Sequence, residues 1–418
     1  MEGFAVFGNI IWSSGPDRSE LRPGHYAVCE DGLCSGVFRE LPSRFDGIRT
    51  DDFGDLLIFP GYTDLHLHAS QYMNMGLGMD SELLDWLERY TFPQEAAFAR
   101  EDYARRVYGL FAEELRSGFT TRACVFSTVH VPATLILSDM LERTGLRCMV
   151  GKVNMDRNCP DNIREKDAAS SLKDTENWLA LAEGRYENVS PIISPRFVPS
   201  CSGELLRGLG KTARARSLPV QSHLSENPAE LEWVAGLHPE CGCYGEVYEK
   251  FGLTGPRTVM AHCVYLTERD RELIKTGGTF IAHCPTSNSN LGSGIAPAAA
   301  CLADGMNIGL GSDISGGHTT DMAEVIREAI RVSKLLRRQK PEGPKALGCE
   351  EAFFMATRGG GAFFGKAGAF EPGFEFDAVV ADDTAAGDYT PRERFEKFIH
   401  TASSRNIRAK YVRGRRLF

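Results

Sequence analysis

Between residues 61 and 370 the chain alternates eight short apolar runs with stretches of helical periodicity, and this alternation limits the fold more than any other feature. The runs cover 61–68, 120–127, 147–156, 191–199, 219–225, 258–265, 279–284 and 307–313. Apolar runs of strand length separated by amphipathic stretches are βα units, and eight of them close into a barrel. The predicted fold class is therefore α/β, a (β/α)8 TIM barrel over residues 61–370. Helices are expected at 81–90, where Leu83, Trp86, Leu87 and Tyr90 share a face, at 102–117 before Gly118, and at 321–338.

The two ends have a different texture. Residues 4–7 and 10–12 read as strands around a Gly8-Asn9 turn, and 25–29 and 36–38 as strands around Glu30-Asp31-Gly32. Residues 376–381 and 407–412 are also strand-like, the second followed by Arg413-Gly414. Residues 1–60 and 371–418 are accordingly expected to pair into one small β-sandwich built from both termini.

A formal net charge of -9 argues against a nucleic-acid partner, and Arg413, Arg415 and Arg416 read as a solvated face. The N-terminus lacks a basic stretch followed by a long apolar run, and no stretch approaches a membrane span. The twelve cysteines contain no C-x-x-C pair; Cys124, Cys148, Cys263 and Cys284 lie in apolar runs, as reduced core thiols do. A cytoplasmic protein with no membrane partner is expected.

Polar residues at the C-terminal ends of barrel strands usually serve chemistry. The first run ends in His66 and His68, whose i, i+2 spacing turns both rings to one side of a strand. The fifth ends in His223-Leu224-Ser225-Glu226, the sixth carries His262, and the eighth ends in Asp313. Three neutral imidazoles and one carboxylate suit a divalent metal such as zinc, with a position left for water. The candidate ligands are His66, His68, His223 and Asp313. His262 is then placed beside the reacting water as donor or base, and Glu226 is the candidate proton shuttle. Taken singly, Asp313 could be a helix cap before Ser315-Gly316-Gly317, and Glu226 could cap the helix opened by Asn227-Pro228. Of the other histidines, His25, His238 and His400 read as surface; His130, His318 and His283 carry no assignment, though His283 ends the seventh run, where it could border the site.

Pro60-Gly61 with His66-x-His68, then His223, His262 and Asp313, resembles the signature of the amidohydrolase superfamily. The runs His68-Ala69-Ser70-Gln71-Tyr72, Leu83 through Pro93, Ser194-Pro195-Arg196-Phe197 and Ala282-His283-Cys284-Pro285 are similar to the guanine deaminase branch. The resemblance covers almost the whole chain. It implies one zinc per chain, hydrolytic deamination of guanine to xanthine, and a homodimer. It also implies that Gln71, Arg196 and Phe197 bind guanine together with His223 and Glu226, and that Glu226, His262 and Asp313 are catalytic. The chemistry of these side chains agrees: Arg196 offers a fork of donors to a carbonyl, Gln71 a donor and an acceptor, and Phe197 an aromatic wall.

Other readings share the scaffold. A deaminase of another amino-substituted purine, pterin or triazine would use the same metal site. A binuclear cyclic amidase needs a lysine at the end of the fourth run, which holds none; Lys152 lies one strand earlier. A catalytically inactive scaffold would have lost ligands, and none is missing. The small zinc deaminase fold needs P-C-x-x-C, which does not occur.

Overall fold

The computed structural model describes residues 3–383 and 387–418, so residues 1–2 and 384–386 of the expected terminal unit lie outside the described residues. Eight barrel strands follow the alternation. They are Tyr62–His68, Thr120–Phe126, Arg147–Gly151 continued by Val153–Asn154, Val189–Pro191 continued by Ser194–Pro195, Val220–Leu224, Thr258–His262, Phe280–His283 and Ile308–Leu310. They form two parallel four-stranded sheets with a short pair between the continuations. Backbone hydrogen bonds join the sheets at both seams. At one, Ile193 N donates to Pro219 O and Gln221 N to Ile193 O, each at 2.9 Å. At the other, Asp313 N donates to His66 O at 2.8 Å and His68 N to Ile314 O at 2.9 Å. The second seam lies at the histidines themselves. The two pieces of the fourth strand, Val189–Pro191 and Ser194–Pro195, are joined by Ile192 and Ile193, whose N–H groups donate to Val150 O at 3.1 Å and Pro219 O at 2.9 Å.

The helix Glu101–Ser117 buries Ala104, Val107, Tyr108, Phe111, Ala112 and Leu115, the helical spacing read from the sequence, and stops at Gly118. Met322–Gln339 starts where the Asp321 carboxylate accepts from Ala323 N at 3.0 Å. The single helix expected at 81–90 is instead composite. An α turn, Leu83–Trp86, widens to a π turn at Leu87–Thr91 and returns to α at Phe92–Ala96. Pro93 supplies a reason: it has no N–H for an i→i−4 bond, and its ring crowds the carbonyl four residues back. The α turn and the start of the π turn carry Leu83, Trp86 and Leu87 into the lining of the pocket at the barrel mouth.

Both termini do build one layer. Its hydrogen bonding is continuous through seven strands, and the sheet folds over on itself as a sandwich does: Phe4 and Tyr411, three strands apart in the order, stack with ring centroids 5.4 Å apart. The order is Arg415–Arg416, Ile407–Val412, Ala378–Ala381, Arg49–Phe59, Phe4–Gly15, Arg18–Glu30, Leu33–Phe38. Gly8-Asn9 is not a turn, because Phe4–Gly15 runs through it. A Cβ at Gly8 would lie 2.7 Å from Ile58 Cδ1, so glycine there allows close strand approach. Asn9 fills the irregular ladder, donating to Asp55 O at 2.8 Å and accepting from Gly24 N at 3.1 Å. The tight turns are Asp31-Gly32 and Arg413-Gly414, each with two positive φ values. His238, expected at the surface, is buried where its ring packs edge-on against Phe251.

The sheet is tied to the barrel by Arg122 of the second strand, which is fully buried. Its Nε donates to Asp377 and its Nη2 to Glu375, both at 2.6 Å. Removing one partner of a buried pair leaves a charge without solvent or counterion, at a cost of ~3–5 kcal/mol. Arg122→Met is expected to lose about that much stability in denaturant unfolding. A loss below about 1 kcal/mol would mean the pair is not an anchor.

Candidate active site

His66, His68, His223 and Asp313 each send one ligand atom to a common point, and these atoms lie within 4.8 Å of one another. His68 Nε2 is 3.2 Å from His66 Nε2 and 3.1 Å from His223 Nε2. Asp313 Oδ1 is 3.2 Å from His66 Nε2 and 3.5 Å from His68 Nε2. Burial holds all three imidazoles below the ordinary histidine range, well below it for His68 and His223, where neighbouring histidines add to the effect. Neutral rings turning ring nitrogens toward one another at this distance bring lone pairs together. His223 Nδ1 lies 2.6 Å from Arg196 O; donating there leaves Nε2 as a bare acceptor. The donor set therefore fits a divalent cation: three imidazole nitrogens and one carboxylate oxygen, all buried. Burial raises the Asp313 carboxyl, but His66, His262 and His223 outweigh it and hold the group below the usual carboxylate range.

The backbone turns these side chains inward at some expense. His262 and Asp313 have φ of 71° and 47°, and Ser225, just before Glu226, has 53°. Such left-handed positions in non-glycine residues cost of order 1–3 kcal/mol each and cluster at working sites.

Glu226 Oε2 lies 3.3 Å from His262 Nε2, and the same nitrogen is 3.7 Å from Asp313 Oδ2 of the metal group. The other ring nitrogen of His262, Nδ1, is 2.9 Å from Asn288 Oδ1. Glu226 is buried at 3% exposure, and its Oε1 accepts from Ser293 Oγ at 3.4 Å. Burial, then the charges of Asp313 and Glu230, push its carboxyl well above the ordinary range. It is not among the metal-group residues. A buried carboxyl that favours its protonated form can give and take a proton.

One pocket gathers His68, His223, Glu226, His262 and Asp313 with Gln71, Arg196 and Phe197; Leu83, Trp86, Leu87 and Leu291 complete its apolar walls. His66 stands behind His68 and does not line it. His283, which by sequence could border the site, is buried outside the lining. Lys152 is buried in an ion pair with Glu165, away from the metal group.

Two acidic residues escaped the sequence reading. Asp64 accepts from His66 N at 3.2 Å and from Ser312 N at 3.0 Å, tying the first strand to the segment after the eighth beside His66 and Asp313. Glu95 accepts from Arg196 Nη1 at 2.6 and 2.8 Å and from Gln71 Nε2 at 3.0 Å. The signal for Glu95 was slight: a lone acid two residues beyond Pro93, at the end of the run that carries the resemblance.

The sequence profile of the amidohydrolase family matches residues 57–417. A guanine deaminase of Dictyostelium discoideum is 38% identical over 440 residues, 98% of this chain and 97% of that protein. Human guanine deaminase is 38% identical over 373 residues, 86% of this chain and 82% of the relative. The crystal structure of guanine deaminase from C. acetobutylicum with bound guanine in the active site superposes with a TM-score of 0.97 at 46% identity, covering 100% of both chains.

Proposed function

The chain belongs to the amidohydrolase family, and on that premise we propose that it hydrolyses guanine to xanthine and ammonia. The observation that carries this reading is that Arg196 and Gln71 line the same pocket as the histidine–aspartate group and Glu226. His66, His68, His223 and Asp313 would hold one zinc ion per chain. Bound there, zinc lowers the pKa of water to about 7 and so supplies hydroxide at neutral pH.

The remaining work falls to the chain's own groups. The Arg196 fork receives the carbonyl oxygen of guanine, and Gln71 reads the neighbouring polar edge. Phe197, Trp86 and the leucines hold the ring plane and exclude water. Glu226 takes the proton from the attacking water, passes it to a ring nitrogen, and then serves the departing amine. His262, beside Glu226, donates to or accepts from the oxygen arriving at C2. A C–O bond forms at C2 and the exocyclic C–N bond breaks, so water and guanine balance xanthine and ammonia.

We place this chemistry in residues 61–370, with 1–60 and 371–418 as a supporting layer. The family resemblance further supports a homodimer acting in the cytoplasm. No helix among the described residues is long and apolar enough to cross a membrane.

The test is to offer purified protein guanine, adenine, cytosine, a pterin and an aminotriazine and assay ammonia, with metal content and sedimentation measured on the same sample. Ammonia from guanine, one zinc per chain and a dimer are expected. Ammonia from another ring and none from guanine would move the assignment, and full activity requiring two metals would contradict the single site.

A further inference from the structure

We infer that Glu95 is the positioning residue for guanine recognition: its carboxylate fixes both Arg196 and Gln71 and cancels the charge of Arg196. The inference rests on the reading of Arg196 and Gln71 as guanine contacts given above. Glu95 sits in the short helix Phe92–Ala96, behind the widened segment over the barrel mouth, and does not line the pocket.

Three side chains meet there with exposures of 2% for Glu95, 3% for Arg196 and 2% for Gln71. Arg196 spends Nη1 on both carboxylate oxygens, while Nε and Nη2 make no hydrogen bond to the described residues. The side chain is also held over the Phe92 ring, 5.3 Å from its centroid. The fork is thus clamped from one end, and its unpaired donors remain for a ligand.

The Gln71 amide is fixed as firmly. Its Nε2 donates to Glu95, and its Oε1 accepts from Ser315 N at 3.2 Å. A carboxylate only accepts and a backbone N–H only donates, so the amide has one permitted orientation. One carboxylate therefore sets the donor pattern of two residues on opposite sides of the sequence, the first at the first strand's end and the second at the fourth's.

The charge matters as well. Guanine is neutral, and a buried guanidinium without a counterion would favour an anionic ring instead. Xanthine, with two carbonyls flanking a ring N–H, is the more acidic of the two purines. An Arg196–Glu95 pair of zero net charge favours the neutral substrate over the ionised product, and so favours release.

The test uses the metal-loaded enzyme. In Glu95→Gln, KM for guanine is expected to rise about tenfold or more, as when hydrogen bonds to charged groups are lost, with kcat falling by less. Xanthine inhibition, measured on the alkaline side of neutrality, should tighten at the same time. Zinc content should not change. A purely structural role would lower Tm and the active fraction while leaving KM and xanthine inhibition where they were. Arg196→Ala is run alongside. If it raises KM and Glu95→Gln changes neither KM nor xanthine inhibition, the inference is overturned and guanine reading by Arg196 stands. If Arg196→Ala leaves KM unchanged, the recognition reading fails and this inference with it. Should Glu95→Gln not fold, Glu95→Asp keeps the charge but withdraws it by one methylene. It should raise KM with xanthine inhibition unaltered, and an unaltered KM would overturn the positioning role.

Discussion

Glu226→Gln is expected to fold, to keep its metal, and to lose about 10²–10⁴ of turnover, the usual contribution of a positioned acid–base group. Glutamine has the same shape and can still accept from Ser293 Oγ, the bond made by Oε1. The backbone N–H of Glu226 still donates to Glu230, so the loop stays in place. What glutamine lacks is an exchangeable carboxyl proton. The environment of Glu226 is built for one: burial first, and then the negative charges of Asp313 and Glu230, disfavour the carboxylate. Because Glu226 is not among the clustered ligand atoms, zinc should remain. Steady-state kcat together with elemental analysis checks both halves. Near-normal turnover, or loss of metal with the side chain, would mean that the proton is carried elsewhere or that Glu226 is a ligand.

The second large effect is discrimination between purines. Attack on an sp² carbon bearing an amine is possible for adenine as for guanine, so the metal group cannot choose between them. Arg196 can. Its free donors require an acceptor, and guanine offers its carbonyl oxygen there; adenine, turned so that its one exocyclic amine meets the metal group, offers only a C–H at that position. Adenine would leave a buried guanidinium without its acceptor, and sites built to hydrogen-bond a substrate reject such analogues by about 10⁴–10⁵. A deficit of that order in kcat/KM is expected for adenine. Arg196→Ala should depress guanine turnover, shrink the gap between the two purines, and leave zinc in place. Competitive kinetics on both bases measures this, and comparable turnover of adenine by the unaltered enzyme would refute the role of Arg196.

The parts of the molecule that were legible beforehand are those where chemistry and periodicity coincide. His66 and His68 alternate within a strand, so their common direction follows from the pleat. Glu101–Ser117 has helical spacing and a glycine stop, so its bounds are nearly those expected. His223 and Asp313 follow apolar runs that can only be strands in a βα series. What escaped depends on distant contacts. Glu95 has no periodic signature, and its meaning comes from Arg196, 101 positions away. Gly8-Asn9 has turn composition, yet its conformation is decided by Ile58 and Asp55 on another strand. Pro93 lies beyond the helix expected at 81–90, and the spacing there does not say that the helix widens and resumes. His238 is polar by type but buried against Phe251 from the following helix.

The central claim, hydrolytic removal of the C2 amine of guanine, is tested most directly in ¹⁸O-labelled water. Zinc-loaded protein is given guanine, and the product is examined by mass spectrometry while ammonia is counted. The expected result is xanthine carrying one solvent oxygen, with one ammonia released for each guanine consumed. Unchanged guanine, or ammonia released without a labelled oxygen in the purine, would contradict it.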